Sequence, residues 1–218
     1  MDYYGAVISG TAEETRSRED VRRLRRSLGW ERGGAGVLDE GRRASAVLLV
    51  LLQGPSGELD ILFTKRPSQM VHHGGEVCFV GGSSDPSDES LLATALREAQ
   101  EEMGIVPEDV EVLGTLDTER PKTTPFVIQP FVGLLQAPYD FQPNASEIAE
   151  VLVVPLSVVQ NPASFREEVW LKGGELERER YFAYGPHLIW GATARILGQF
   201  LNFLRDEDLT LAGGLYGG

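Results

Sequence analysis

The chain has 218 residues, of which 20 are Lys or Arg and 33 are Asp or Glu, so its formal net charge at pH 7 is −13. Hydrophobic residues make up 42 % and charged residues 24 %, which is usual for a folded globular domain and excludes a wholly disordered chain. The single cysteine, Cys78, excludes a disulfide framework within the chain and a zinc site built from several cysteines. The acidic balance disfavours broad binding to nucleic acids or anionic membranes, because both need a cationic protein surface.

The sequence contains no recognisable targeting segment. Residues Met1 to Gly10 lack the basic start and the long apolar run of a secretory signal peptide. No stretch approaches the roughly 18 to 20 consecutive apolar residues that a membrane-spanning helix needs. We therefore expect a cytoplasmic protein with neither a membrane nor a nucleic acid as its partner.

The first third of the chain predicts a helix followed by a β-hairpin. Residues from about Thr11 to Leu28 favour a helix, which glycines after residue 32 interrupt. Two apolar runs, Ser45 to Leu52 and Leu59 to Thr64, flank the segment Gln53 to Gly57, whose Gly and Pro residues are typical of a hairpin turn. A further short extended run is predicted from Glu76 to Val80.

The segment from Asp88 to Met103 has the clearest helical pattern in the chain. Apolar residues recur at helical spacing along one side of it, namely Leu92, Ala95, Ala99 and Met103. Gly104 follows at the position where a C-terminal helix cap belongs.

The second half of the chain mixes strands with helices. Extended segments are predicted at Val110 to Leu116, Phe126 to Leu135, Val151 to Leu156, Phe165 to Leu171 and Glu179 to Tyr184. A short helix is predicted after Pro155 and a long amphipathic helix from His187 to Leu204. Helical spacing assigns Trp190 to the core in preference to an adenine-binding surface.

Strands mixed with a few helices, without regular βαβ alternation, predict an α/β fold in which helices pack on mixed sheets. We expect the main domain to span residues 44–205. An N-terminal helical extension would precede it over residues 1–43, and a flexible C-terminal tail would follow it over residues 206–218.

Three glutamates near the end of the Asp88–Met103 helix form the best candidate metal site. Glu98, Glu101 and Glu102 stand at i, i+3 and i+4, so a helix presents them on one face. Like charges at this spacing destabilise an isolated helix, whereas Mg²⁺ or Mn²⁺ prefers such hard oxygen ligands and would relieve the repulsion. Arg97 is placed to orient one carboxylate through a charge-assisted hydrogen bond. The alternative from the residues alone is a solvated acidic helix face.

The residues around these glutamates resemble the Nudix box, a loop–helix–loop in which a glycine-led loop feeds a metal-binding helix. The match consists of Gly82, then Glu89 with one residue more than usual between them, then Arg97-Glu98-x-x-Glu101-Glu102-x-Gly104. The extra residue, the approach Leu62-x-Thr64-x-Arg66 and the run Gly75-x-Val77-x-Phe79 resemble the coenzyme A diphosphatase branch. Likeness to that branch extends over about Ala44 to Leu204.

The resemblance implies a Nudix fold, with mixed sheets sandwiched between helices, and a hydrolysis of diphosphate bonds that depends on Mg²⁺ or Mn²⁺. Glu98, Glu101 and Glu102 would hold the metal beside Arg97, and a water deprotonated by a carboxylate would attack one phosphorus. Glu98 and Glu147 both fit the role of that base. From coenzyme A or an acyl-coenzyme A, the products would be (acyl-)4′-phosphopantetheine and 3′,5′-ADP.

Four residues are candidates for contact with the substrate. Gly81 and Gly82 let the backbone turn and approach the substrate without a Cβ clash. Arg66 is a candidate phosphate contact, with the cap of a sheet edge as its alternative role. His73, next to His72, is a candidate for phosphate or metal contact, although adjacent loop histidines are more often simply exposed.

Three positions depart from the pattern of the branch. Val80 stands where a proline usually precedes the glycine pair, Pro67 where a serine usually follows the strand arginine, and Val71 where a second arginine is usual. Because valine offers neither charge nor hydrogen-bond donors, we expect Val71 to weaken the binding of a substrate phosphate.

The expected partner is therefore a small nucleotide of the coenzyme A type. The alternatives are another nucleoside diphosphate derivative, such as ADP-ribose, and a Nudix-fold binding or regulatory protein without turnover. The predicted helix from His187 to Leu204 covers either the chain's own core or a second copy, which leaves a homodimer open.

Overall fold

The computed structural model describes residues 12–29, 41–55, 57–69, 73–122, 124–207 and 209, and within them lie four helices and ten strands. The helices are α1 (Ala12–Ser27), α2 (Leu91–Met103), α3 (Leu156–Gln160) and α4 (Gly191–Asp206). The strands are β1 (Arg43–Gln53), β2 (Leu59–Lys65), β3 (Val77–Cys78), β4 (Val80–Ser83), β5 (Glu111–Thr115), β6 (Phe126–Gln136), β7 (Glu150–Pro155), β8 (Phe165–Lys172), β9 (Glu175–Tyr184) and β10 (His187–Ile189).

Seven strands form one mixed sheet around β1. This strand pairs in parallel with β6 along its whole length and antiparallel with β2 and β4. Strand β5 lies at one edge beside β6, while β3 and β7 both pair with β2. Strands β8, β9 and β10 form a second, antiparallel sheet. The predicted α/β fold with mixed sheets and helices is confirmed.

The strands β1 and β2 pair with each other through only part of their length. They pair over residues 50–53 and 59–62, as a hairpin should. Beyond this stretch the segment 77–83 lies between them, because β3 pairs with the end of β2 and β4 pairs with the start of β1. Gly81 and Gly82 therefore lie inside the sheet, opposite Val47 and Ala46.

Two hydrophobic clusters attach the helices to opposite faces of the seven-stranded sheet. Leu48 and Val50 of β1 belong to the cluster that contains the apolar side of α2. Leu49 and Leu51 belong to the cluster that contains α1, α4 and the inner side of the small sheet. Since successive side chains of a strand point to opposite faces, the sheet lies between α2 on one side and α1 with α4 on the other.

Two predicted boundaries near α2 differ from the structure. The helix predicted from Asp88 begins at Leu91, because Ser90 is extended and its hydroxyl accepts the N–H of Ala93 as an N-cap. The single extended run predicted from Glu76 to Val80 is divided into β3 and β4, because the two halves pair with different neighbours.

The helix predicted from His187 begins only at Gly191. Residues His187–Ile189 instead pair with β9, an interaction between distant segments that helical spacing does not reveal. Trp190 is extended, precedes the helix and is 44 % exposed, so its assignment to the core is wrong.

The N-terminal helix α1 shares its core with the sheet. Val21, Leu24 and Leu28 are buried in the same cluster as Leu49. The domain boundaries at residues 43 and 205 stay a prediction, and residues 210–218 of the expected tail lie outside the described residues. None of the described helices combines the length and the apolar composition needed to cross a bilayer.

One carboxyl oxygen of β2 is buried without a hydrogen-bond donor in the described part of the chain. Asp60 is 3 % exposed, and its Oδ1 has no hydrogen-bond partner among the described residues. Burial raises the pKa of Asp60, and the neighbouring carboxylate of Glu58 raises it further. The ionised form of Asp60 is therefore penalised in the folded protein and not in the unfolded chain.

We expect Asp60→Asn to be more stable than the parent protein at neutral pH and equally stable in acid. The parent loses stability as the pH rises from the ordinary aspartate range through the raised pKa of folded Asp60, and the neutral variant does not. The gain should be on the order of 1 kcal/mol, the scale of one unsatisfied buried group. Urea unfolding at a series of pH values measures it, with the exposed Asp140→Asn as the matched control. A difference that does not vary with pH would contradict the assignment.

Candidate active site

The helix α2 ends directly after the predicted glutamates. Gly104 adopts a left-handed conformation (φ 66°) as the C-cap, and its N–H donates to the carbonyl of Gln100. Ala99 and Met103 are buried against the sheet. These contacts fix the last turn of α2 and thereby the directions of Glu98, Glu101 and Glu102.

Glu102 points into the sheet at the split between β1 and β2. The residue is 3 % exposed, and its Oε2 accepts a hydrogen bond of 3.1 Å from the backbone N–H of Gly81. Burial raises the pKa of Glu102 to about 7. The Gly81 N–H and the charge of Arg66 oppose this rise, whereas the charges of Glu98 and Glu147 reinforce it.

Both glycines of the pair are required by the close approach of other groups. Gly81 has a φ of 149°, and a Cβ at this position would collide with the carbonyl oxygen of Ala46 in β1. A Cβ at Gly82 would lie 2.5 Å from the carboxylate of Glu98. The glycine pair therefore lets β4 pair with β1 while two carboxylates of α2 lie against it.

Glu98 is the second carboxylate beside the glycine pair. Its side chain is 15 % exposed, and burial raises the pKa of this group. The ion pair with Arg97 opposes the rise, and the charges of Glu101 and Glu147 add to it. Glu101, by contrast, lies on the outer side of the helix with 56 % of its side chain exposed.

Glu147 reaches the same place from a loop before β7. The backbone N–H of Asn144 donates to the carbonyl of Glu102 at 2.8 Å, and the Asn144 side chain donates to Glu147 Oε1 at 3.1 Å. The charge of Glu147 raises the pKa of both Glu98 and Glu102. The structure thus brings Glu98, Glu102 and Glu147 together, and these three residues are called the carboxylate cluster below.

Arg97 connects the cluster to the loop before α2. Its Nη1 lies 3.0 Å from Glu98 Oε1 and 2.9 Å from Glu101 Oε2. Its Nε and Nη2 donate to the two carboxylate oxygens of Asp88 at 2.9 and 3.1 Å. The hydrogen bonds from Arg97 hold the pKa of Asp88 well below its usual range.

Asp88 is the residue that the sequence reasoning missed. It also accepts hydrogen bonds from the Asp85 N–H and the Thr94 hydroxyl, whereas Glu89, which was matched to the box, is exposed. The available signal was the extra residue between Gly82 and Glu89, since without it the usual spacing from Gly82 falls on Asp88.

The donor set of the cluster suits a divalent cation. Glu98 and Glu102 bring hard oxygen ligands into a poorly solvated place, where burial raises their pKa values and the neighbouring carboxylates add to the rise. Within the described ranges, no group of three or more Asp, Glu, His or Cys side chains is placed to hold a metal ion together. Arg97 Nη1 instead lies between Glu98 and Glu101, where it neutralises both. The residues therefore fit a cation held mainly by Glu98 and Glu102.

Arg66 lies at the end of β2 on the same side of the sheet. Its side chain is half-buried, and within the part of the chain that the structure describes no hydrogen bond or ion pair engages its guanidinium. Its charge lowers the pKa values of Glu102 and Cys78. The preceding Lys65 differs, because its amine lies 3.5 Å from Glu150.

The other predicted contacts lie around the loop that follows Arg66. His73 is exposed with a φ of 59°, and its Nδ1 lies 2.9 Å from Glu76 Oε2. Pro67 is buried, and Val80 is buried opposite Leu48. Val71 and His72 lie outside the described residues.

Comparisons with known proteins agree with this geometry. A NUDIX domain model matches residues 42–173. The chain is 38 % identical over 162 residues to a Nudix hydrolase NudL of Photorhabdus laumondii, covering 74 % of this chain and 85 % of that protein. It is 36 % identical over 161 residues to the peroxisomal coenzyme A diphosphatase NUDT7 of Mus musculus, covering 68 % of this chain and 65 % of that protein.

A solved structure supports the fold alone. The MutT/nudix family protein from Enterococcus faecalis superposes with a TM-score of 0.54 at 16 % identity. The match covers 77 % of this chain and 64 % of that one.

We expect Asp88→Asn to destabilise the protein by about 2 kcal/mol, because the half-buried Arg97 guanidinium loses the charge of its most buried carboxylate partner. The exposed neighbour provides the matched control, and Glu89→Gln should change the unfolding free energy by less than about 0.5 kcal/mol. Guanidinium or urea unfolding of both variants measures the difference. A larger loss at Glu89 than at Asp88 would overturn the assignment of Arg97's partner.

Proposed function

Because the chain belongs to the Nudix hydrolase family, we propose that it hydrolyses the diphosphate bond of coenzyme A or of an acyl-coenzyme A, with Mg²⁺ or Mn²⁺ as the cofactor. Membership of this family indicates that the chain is an enzyme that hydrolyses diphosphate bonds. Coenzyme A as the substrate is supported by the likeness to the mouse coenzyme A diphosphatase. The products would be (acyl-)4′-phosphopantetheine and 3′,5′-ADP.

The carboxylate cluster beside Gly81 and Gly82 is the observation that carries the proposal. A folded protein gains nothing in stability from a buried Glu102 whose pKa is raised to about 7. Such an arrangement is typical of a site that binds a cation or moves a proton. Both roles are needed for metal-dependent hydrolysis of a diphosphate.

In this proposal, the glutamates of α2 hold the metal and Arg97 positions them. Glu98 and Glu102 would hold the divalent ion, and Glu101 would add a ligand from the exposed side. When bound, the ion supplies positive charge against the diphosphate oxygens. Arg97, anchored on Asp88, keeps Glu98 and Glu101 in place.

We favour Glu147 over Glu98 as the base that takes the proton of the attacking water. Arg97 Nη1 lies 3.0 Å from Glu98 Oε1 and so already engages an oxygen that would have to accept this proton. Glu147 is half-buried and receives a neutral hydrogen bond from Asn144 on Oε1. The hydrogen bond from the Asn144 N–H to the Glu102 carbonyl holds the loop of Glu147 at the end of α2, so the backbone positions Glu147 relative to Glu102.

Arg66 is the candidate for receiving a phosphate of the substrate. The chain carries a net charge of −13, so a polyanion needs a local cation to approach the carboxylate cluster. Arg66 is close enough to lower the pKa of Glu102 and has no carboxylate partner among the described residues. A Cβ at Gly81 or at Gly82 would collide with Ala46 or with Glu98, so the two glycines make room for the carboxylate cluster itself.

A small substrate panel tests the proposed function. Coenzyme A, dephospho-coenzyme A and ADP-ribose are each incubated with the protein in Mg²⁺, in Mn²⁺ and in excess EDTA, and the nucleotide products are separated by chromatography. We expect 3′,5′-ADP from coenzyme A only when the metal is present. A preference for ADP-ribose would replace the substrate class, and full activity in EDTA would contradict the role of the metal.

We expect Glu102→Gln to lose at least about 100-fold in kcat, since it removes an anionic ligand and keeps the shape. The metal-free variant should nevertheless be more stable than the parent. Ionised Glu102 is penalised only in the folded state, so the stability gain should grow as the pH rises through about 7 and vanish in acid. Activity assays and thermal unfolding in EDTA measure the two effects.

Glu101→Gln is the matched control for this prediction, because Glu101 lies on the same turn and is exposed. It should lower turnover without the pH-dependent gain in stability. Wild-type activity of Glu102→Gln at limiting Mg²⁺ would remove Glu102 from the metal site.

We expect Arg66→Gln to raise the KM for coenzyme A about tenfold, the scale of one charge-assisted hydrogen bond. Lys65→Gln should leave KM almost unchanged, because Lys65 pairs with Glu150 instead. Steady-state assays run well above pH 7, where Glu102 is ionised in every variant, separate binding from the effect on Glu102. A smaller change with dephospho-coenzyme A would place Arg66 at the 3′-phosphate, and equal KM values for both variants would remove it from the binding site.

A further inference from the structure

Exposed apolar side chains are concentrated on the small sheet. Of the nine large hydrophobic residues that are exposed in the described part of the chain, seven lie between residues 165 and 190. They are Phe165, Val169, Trp170, Leu171, Leu176, Leu188 and Trp190. Leu171 and Leu176 lie opposite each other near the tip of the β8–β9 hairpin and are each 70 % exposed. Four of the seven, Val169, Trp170, Leu171 and Leu176, lie in the outer half of this hairpin, and such a concentration is typical of an interaction surface.

The same hairpin has an open edge. Strand β8 pairs with β9 and with no other strand among the residues that the structure describes. As far as the described residues go, its outer side therefore presents a row of unpaired backbone N–H and C=O groups next to Val169, Trp170 and Leu171. An edge strand with these properties can pair with another strand.

We infer that β8 pairs antiparallel with β8 of a second copy, around a twofold axis at Trp170. In such a pair, Trp170 faces Trp170 of the other copy, and Val169 faces Leu171. The two hairpins then form one four-stranded sheet, on which Leu176 extends the apolar row from Leu171. This homodimer surface is independent of the proposed hydrolysis.

The charges of β8 select this register. Residues that face each other in an antiparallel pair lie on the same face of the sheet, and successive residues of a strand alternate between faces. In a symmetric pair of β8 strands, one residue must therefore lie opposite its own copy, and the twofold axis passes between these two copies. An axis at Glu167 or at Glu168 sets two identical carboxylates against each other. An axis at Val169 sets Arg166 against Lys172, which also places like charges opposite each other.

Among these choices, only the axis at Trp170 pairs unlike charges without also setting like charges opposite each other. It sets residue Glu168 of each copy opposite residue Lys172 of the other. This self-complementarity favours a second copy of the chain as the partner. The two Glu168–Lys172 contacts supply attraction at a place where two chains of net charge −13 would otherwise repel each other. The contact is a short strand pair, so we expect a weak dimer at high protein concentration.

Charge exchange across the proposed axis tests the inference. Sedimentation velocity over a concentration series gives the association constant of the parent chain and of Glu168→Lys, Lys172→Glu and the double variant. Each single change should lower the association constant at least about tenfold, and the double variant should restore it. Because Glu168 also contacts Arg166 of its own strand, Lys172→Glu provides the change that leaves this pair intact.

Two controls separate the proposed contact from other causes. Asp206→Lys changes the net charge as much as Glu168→Lys but lies at the end of α4, so it should not change association. Trp190→Ser removes an exposed aromatic side chain outside β8 and should also have no effect. Circular dichroism shows that each variant is folded. A parent chain that stays monomeric, a double variant that fails to restore association, or association that depends on Trp190 would each overturn the inference.

Discussion

The carboxylate of Glu102, buried against the backbone N–H of Gly81, is the contact on which the site depends. It requires a glycine whose backbone can pair with β1 at a φ of 149°, and it requires that β1 and β2 separate so that β4 can enter the sheet. The last turn of α2 must also lie directly over the split, which the Gly104 cap and the buried Met103 ensure. This one hydrogen bond thus depends on the sheet topology and on the ending of α2, and the chemistry of the site depends on it in turn.

The carboxylates of Glu98 and Glu102 differ in how well positive groups compensate their negative charge. Arg97 neutralises Glu98 on its outer side and is itself held by Asp88, so the rim of the cluster is well paired. Glu102, on the inner side, has only an N–H donor and a more distant Arg66 charge, and its pKa rises to about 7. This contrast explains why the proposed cation would bind between Glu98 and Glu102, where compensation is weakest.

Local patterns predicted much of the fold and most members of the candidate site, whose roles stay a prediction. The apolar side of α2, its Gly104 cap and the glutamates at i, i+3 and i+4 are all contained within one segment, so spacing alone reveals them. The division of 76–80 into β3 and β4 and the pairing of His187–Ile189 with β9 depend on residues far away in the chain. Asp88 was missed because one inserted residue moved the exposed Glu89 into the expected place, and only geometry distinguishes the two.

Carbon-13 NMR of the Glu102 carboxyl, titrated with and without Mg²⁺, tests the central claim most directly. In the metal-free protein we predict a titration midpoint near 7, because the carboxylate is buried among other negative charges. Saturating Mg²⁺ should move this midpoint to well below the ordinary glutamate value of about 4.3, because the ion competes with the proton for the same oxygens. A midpoint near the ordinary value without metal, or one that Mg²⁺ does not change, would contradict the account.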